Sequence, residues 1–174
     1  MADFPQRRLA CLQIVLAAVA VPWLASLAAE PGDLPNRKDP LAGITTGGQP
    51  NAAQFQAAAS AGFKSVIDLR GPNEDRGLDE PAVVAQLGMS YVNLPVEGAD
   101  GVTYANASAL DKLLAKLEQP VLIHCSTGNR AGALLAVRAK LGGADGETAL
   151  ALGKAAGLKG LQPTVEQKLA AGHD

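Results

Sequence analysis

The chain has 174 residues, enough for one ordinary domain and too few for two comfortable ones. Apolar residues make up 48% but aromatics only 3%, so a packed core has to be built from Ala, Leu and Val. With a formal charge of −2, no basic stripe, and only three Phe, two Tyr and one Trp, the chain carries no footprint for nucleic acid.

The first 28 residues differ from the rest. Two arginines in "MADFPQRR" precede the apolar run "LACLQIVLAAVAVPWL", and small residues follow at Ser26 and Ala28. That charged, apolar, small-residue order is the order of a secretory signal, with cleavage expected near Ala28. Two alternatives stay open: an uncleaved anchor, since Leu9 to Ala29 nearly spans a bilayer, and twin-arginine export through Arg7 and Arg8. Each puts the domain outside the cytoplasm. Loss of residues 1–28 removes Asp3, Arg7, Arg8 and Cys11, leaving 13 basic and 16 acidic residues and one cysteine. Exported proteins usually keep cysteines in pairs, so Cys125 is a free thiol to account for.

Residues 29–41, rich in Pro, Gly and charge, read as a linker, and residues 42–174 as the domain. "GITTGGQPN" is a short extended piece ending in a turn, with Asn51 placed to cap the helix "AAQFQAAASAG". "FKSVIDL" alternates and is a strand; "DEPAVVAQLG" is a helix with an acidic start and an early Pro. "MSYVNLPV" is the next strand, and "YANASALDKLLAKLEQ" a helix with leucines at helical spacing. "PVLIH" is a wholly apolar strand of the kind found inside a sheet, and two or three helices fill residues 131–171. Repeated βα order predicts an α/β domain, a mostly parallel central sheet flanked by helices, with ligands beyond the carboxyl ends of the strands.

Cys125 stands at such an end, in "HCSTGNRAG". A strand turning into a helix over small residues aims successive N–H groups at one point, and the helix adds its positive end. Arg130 supplies a planar fork for an oxyanion, and Gly128 permits a left-handed turn. Residues 126–130 (Ser126, Thr127, Gly128, Asn129, Arg130) are therefore the candidate anion cradle. Such surroundings favour the nucleophilic thiolate. The bland alternative is a buried thiol at a strand end.

"HCSTGNRAG", with "GGQP", "AGFKSVIDLR" and "YVNLPV", resembles the cysteine-dependent phosphatases of the tyrosine and dual-specificity type. Within them it is most similar to bacterial beta-lactamase-hydrolase-like domains, over about residues 42–160. The resemblance implies a dual-specificity-phosphatase-like fold and hydrolysis of phosphate monoesters. Cys125 would form a cysteinyl phosphate, Arg130 would bind the phosphoryl oxygens and His124 would orient the loop. Two features depart from that pattern: four residues separate Cys125 from Arg130 where the hallmark has five, and Ala131 replaces a Ser or Thr. Four is the spacing of rhodanese-type sulfurtransferases, so persulfide chemistry at Cys125 stays open, as does a non-catalytic anion-binding or redox-sensing module.

The general acid is expected from "PVEGADGVTY", with Asp100 preferred narrowly over Glu97. In "DLRGPNEDRG", Arg70 is a candidate substrate contact, although such charge-rich turns more commonly remain solvated loops with local ion pairs. Two His and one mature Cys make no metal-ligand cluster, and no cofactor is expected. The expected partner is a small phosphorylated or sulfur-containing anion or a phosphoprotein, not nucleic acid. A membrane is expected only through an uncleaved N-terminus. The expected location is the bacterial periplasm, free or anchored to the inner membrane.

Overall fold

The computed structural model describes residues 34–172. The proposed signal peptide or anchor, Cys11 and His173 lie outside the described residues. At the centre of the molecule is strand β5 (Val121–His124), fully buried. Its neighbours are β2 (Ile44–Gly47) on one side and β3 (Ser65–Asp68) on the other, both parallel to it. Strand β4 (Ser90–Asn93) adds in parallel beyond β3, and β1 (Lys38–Leu41) closes the opposite edge antiparallel to β2. The sheet order is therefore β1-β2-β5-β3-β4. The registers pair Gly47 and Asp68 with His124, and Asn93 with Asp68, so four carboxyl ends finish in one row.

Helices cover both faces. Helix α1 (Ala52–Ser60) begins in a capping box, in which Asn51 accepts from Gln54 N–H and the Gln54 side chain accepts from Asn51 N–H. Helix α2 (Glu80–Gln86) is capped by Asp79, with Pro81 in its first turn. These two pack with Phe55, Val66, Val84 and Leu122 in one buried cluster. Helix α3 (Tyr104–Leu114) and helix α4 (Asn129–Leu141) cover the other face, where Ile67, Leu110, Ile123, Leu134 and Leu135 cluster around Cys125. Helices α5 (Gly146–Ala155) and α6 (Gln162–Ala171) form an outer layer against α4. With neighbours on both sides, α4 is buried from Arg130 through Val137. Truncating Leu134 or Leu135 to Ala there would cost roughly 2–5 kcal/mol.

The period of two in the strands decides which side chains meet. Val66 and Leu122 face α1 and α2, whereas Ile67, Ile123 and Cys125 face α3 and α4. His124 and Cys125 therefore address opposite faces of the sheet.

Two expectations need correction. Lys38–Leu41 is the edge strand β1, not linker, and Leu34 is buried in the core. The helix after the cradle begins at Asn129 instead of Ala131, because Gly128 takes the N-cap position at φ 88°.

Candidate active site

Cys125 leaves β5 at the row of strand ends and is fully buried. Its Sγ accepts a hydrogen bond from Gly128 N–H at 3.1 Å, at the N-terminus of α4. The partial positive charge of that helix end favours a negative sulfur. Gly128 is required by its left-handed φ of 88°, a conformation that other residues rarely adopt.

Residues before the first expected strand brace the cradle from outside. Gly48 N–H donates to the Pro35 carbonyl at 2.6 Å, and Gln49 N–H to the Ser126 carbonyl at 3.3 Å. Asn36 donates through Nδ2 to the Thr127 carbonyl at 3.2 Å, from a left-handed φ of 54°. A Cβ on Gly48 would stand 3.1 Å from both Pro35 and the Ser126 carbonyl, so "GGQP" keeps two segments in close approach.

Arg130 is buried and held from three directions. Nη1 donates to Glu74 Oε1 at 2.5 Å and to the carbonyls of Val96 at 3.1 Å and Leu69 at 3.4 Å. Nη2 donates to Glu74 Oε2 at 2.7 Å and to Ser126 Oγ at 3.2 Å. Four of the five N–H groups a guanidinium carries have a protein acceptor in this arrangement, and Nε–H is the fifth. The Glu74 pair holds the guanidinium well above the ordinary arginine pKa and the Glu74 carboxyl below the ordinary glutamate value. Glu74 is itself held by Gly71 N–H at 2.8 Å.

His124 is paired on the other side of the sheet. Its Nε2 lies 2.6 Å from Glu80 Oε1, and Glu80 Oε2 accepts from Arg70 Nη2 at 2.8 Å. Arg70 Nε continues to Asp68 Oδ1 at 3.2 Å, and Asp68 Oδ2 accepts from Arg76 Nε at 2.9 Å and Tyr91 OH at 3.0 Å. Two carboxylates and two guanidiniums thus form a buried network whose formal charges cancel. Burial works to raise the Asp68 pKa, but His124 and the Arg70 hydrogen bonds outweigh it and leave it below the ordinary value. The carboxylates of Asp68 and Glu80 with His124 bring ligand-type atoms within 4.8 Å of one another, a gathering that counting His and Cys misses. Arg70 bonds to both acids, so a cation already occupies that role.

Ser126 contacts Arg130, and Gly128 contacts the sulfur. The Asn129 side chain turns to the connection before α6, where Oδ1 accepts from Lys159 N–H at 2.8 Å and Leu161 N–H at 3.4 Å. Thr127 contributes its carbonyl to Asn36, and it pairs with Gly48 in an isolated bridge. Arg70 is 2% exposed and bound to two acids, so it supports the network and does not reach substrate. The charge-rich turn is likewise no solvated loop at Asp68, Arg70 and Arg76, although Asn73 and Asp75 are exposed. Of the two acid candidates, Glu97 follows Val96, whose carbonyl binds Arg130. A side chain built on Gly71 would sit 3.6 Å from Oε1 of both Glu74 and Glu97, so these carboxylates flank one point. Glu97 and Asp100 are both exposed, Asp100 in the turn that follows.

Glu74 and Glu80 carry the two residues that bracket the cradle, and sequence reasoning passed over both. Glu80 read as the acidic first turn of a helix, and nothing in its spacing marks it as fully buried.

A buried strand-end thiol, a helix N-terminus beneath it and an anchored arginine in the first turn of that helix stand together at the carboxyl ends of a mostly parallel sheet. A family model described as DSP-PTPase phosphatase fused to NAD+ kinase matches residues 19–166, and the chain belongs to that family. Two beta-lactamase hydrolase-like proteins are also similar. The one from Agrobacterium fabrum is 36% identical over 92 residues, 51% of this chain and 21% of that protein. The one from Xylella fastidiosa is 35% identical over 98 residues, 54% of this chain and 22% of that protein. The chain spans about a fifth of the length of these relatives.

Among solved structures, a Neisseria meningitidis phosphatase superimposes with a TM-score of 0.64 at 20% identity, covering 75% of this chain and 96% of that one. A Shewanella putrefaciens DUF442 phosphatase gives 0.58 at 24% identity, covering 80% and 95%. TpbA of P. aeruginosa, in complex with phosphotyrosine, gives 0.61 at 24% identity, covering 79% and 84%. All three likenesses lie below 25% identity, and what this chain shares with these structures is the fold.

Proposed function

We propose that the chain hydrolyses phosphate monoesters through a cysteinyl phosphate on Cys125. The observation that carries this reading is the Cys125 sulfur on the Gly128 N–H, at the N-terminus of the helix that holds Arg130. The Cys125 thiolate attacks phosphorus and the ester P–O bond breaks, with Arg130 Nε–H and the loop N–H groups stabilising the equatorial oxygens. A carboxyl group protonates the departing oxygen. Its carboxylate then takes a proton from the water that displaces sulfur, giving inorganic phosphate and free thiolate. Proximity to Glu74 and Arg130 favours Glu97 over Asp100 for this role. Neither tyrosine suits the stacking of an aromatic ester at the cradle, because Tyr91 donates to buried Asp68 and Tyr104 to the Lys168 carbonyl on α6. A small phosphorylated anion is therefore the preferred substrate. Export to the periplasm is part of the proposal and rests on the residue order of positions 1–28. N-terminal sequencing of protein recovered from a periplasmic extract tests it.

The catalytic test is release of phosphate from 4-nitrophenyl phosphate by the wild type and by Cys125→Ser. Turnover in the wild type and none in the variant is the expected result; release that persists without the thiol overturns the mechanism. Glu97→Gln should slow turnover on the order of 100-fold, more for alkyl than aryl esters, and Asp100→Asn should change it little.

The four-residue spacing between Cys125 and Arg130 favours a second reading, in which the Cys125 thiolate attacks the outer sulfur of thiosulfate, the S–S bond breaks and sulfite leaves, and the resulting persulfide passes that sulfur to an acceptor such as cyanide. Thiocyanate formed from thiosulfate and cyanide only when Cys125 is present would favour it. If neither reaction occurs while phosphate protects Cys125 from alkylation, the domain is an anion-binding module.

A further inference from the structure

His124 has an unusual poverty of partners for a fully buried imidazole. Among the described residues its Nε2 meets Glu80 at 2.6 Å, and its Nδ1 has no hydrogen-bond partner. The remaining ring contact is apolar, with Phe55 edge-on at 6.0 Å and 71°. The orientation of the ring therefore hangs on one carboxylate. That matters because the ladder is uneven at this strand end: the His124 carbonyl accepts from Leu69 N–H at 2.9 Å on the β3 side, whereas on the β2 side Cys125 N–H reaches the Gly47 carbonyl only at 3.4 Å, the long end of the hydrogen-bond range.

Glu80 in turn is surrounded by donors. Its Oε2 accepts from Arg70 Nη2 at 2.8 Å and from Gln49 Nε2 at 3.3 Å. A carboxylate offers only acceptors, so the short contact to His124 requires the proton to reside on Nε2. We infer that Glu80 is a positioning residue for Cys125: it accepts the Nε2–H of His124 and so holds the strand end from which the thiol enters the cradle. Glutamine does not reproduce this arrangement. An amide supplies one acceptor and one donor, so with its oxygen on the Arg70 guanidinium its NH2 faces His124, and the ring can meet it only by moving its proton from Nε2 to the partnerless Nδ1. A nearly isosteric substitution thus removes the charged acceptor of Nε2–H without opening a cavity.

The test uses the full chain labelled with 15N-histidine. Only two histidines are present, so His173→Asn assigns the spectrum. The wild type is expected to show a low-field Nε2–H resonance, protected from exchange by burial, which Glu80→Gln abolishes or shifts. In the same variant, iodoacetamide should alkylate Cys125, followed by peptide mass spectrometry, roughly tenfold more slowly. Turnover number should also fall on the order of tenfold with KM nearly unchanged, since Arg130 keeps its anchors. Glu80→Asp, which retains both acceptors, should recover part of each effect.

A wild-type ring protonated on Nδ1 alone overturns the inference. So does a folded Glu80→Gln with wild-type alkylation and turnover. If Glu80→Gln does not fold, the wild-type resonance and Glu80→Asp decide. The turnover measurement rests on the phosphatase reading, whereas the resonance and alkylation measurements do not, so a chain without phosphatase activity still tests Glu80.

Discussion

Glu74 grips Arg130 by both oxygens, with Oε1 on Nη1 and Oε2 on Nη2, from a loop 56 residues earlier in the chain. The cradle arginine is thereby oriented before any anion arrives. Pre-orientation matters because a fork that must first be ordered loses binding free energy to side-chain entropy.

Glu74→Gln should accordingly weaken anion binding. With one acceptor in place of two, the guanidinium loses a charge-assisted hydrogen bond, worth about 1 kcal/mol at this partly exposed site. KM for an aryl phosphate, and the vanadate inhibition constant, should rise roughly fivefold. A fall in either would mean that Glu74 competes with the anion instead of steering Arg130.

The same pair sets a pH dependence of stability. The Arg130 hydrogen bond holds the folded-state pKa of Glu74 below its ordinary 4.5, so the unfolded chain takes up the proton first as pH falls. The contribution is fully present above 4.5 and is lost as pH drops through the lowered folded value. Melting temperatures of wild type and Glu74→Gln, compared from neutral pH downward, should differ by a constant amount and then converge in that acid window. Convergence on the alkaline side would contradict the assignment.

Gly132 of α4 lies against Gly153 of α5 and the turn that follows it. A Cβ there would stand 2.2 Å from Leu158 N and 2.7 Å from the Gly153 carbonyl, both backbone atoms that cannot step aside alone. Gly132→Ala should cost roughly 2–4 kcal/mol, read as a lower urea midpoint. A neutral result would show that the outer helices shift freely.

Asp68→Asn attacks the buried network at its most connected member. It leaves Arg70 and Arg76 facing the single negative charge of Glu80. Breaking a buried pair in this way costs about 3–5 kcal/mol. The denaturant midpoint should fall accordingly, and a change under 1 kcal/mol would indicate that water reaches the network.

The α/β order, the central strand and the cradle could be read from the chain because each has a local signature: alternation in "FKSVIDL", an unbroken apolar "VLI", a small-residue turn before a helix. What stayed hidden depends on distance across the fold. Arg70 and Glu80 look like surface charges until the register sets Asp68 beside His124 and turns α2 over them. Glu97 and Asp100 stand three residues apart in one loop, where the flanking small residues narrowly prefer Asp100; in the fold it is Val96, beside Glu97, whose carbonyl meets Arg130, and Glu97 whose carboxylate comes near that of Glu74. β1 was missed because "KDPL" has neither alternation nor β-branching; pairing with β2 makes it a strand.

The stretch Leu34–Asn36 braces the loop after Cys125 through Gly48 and Thr127. A truncation at residue 42, where the composition alone would put the border, removes an edge strand and a buried leucine. It also takes away the outer wall of the anion loop. A fragment that keeps this brace therefore has to include Leu34, and a fusion partner or affinity tag belongs upstream of that residue.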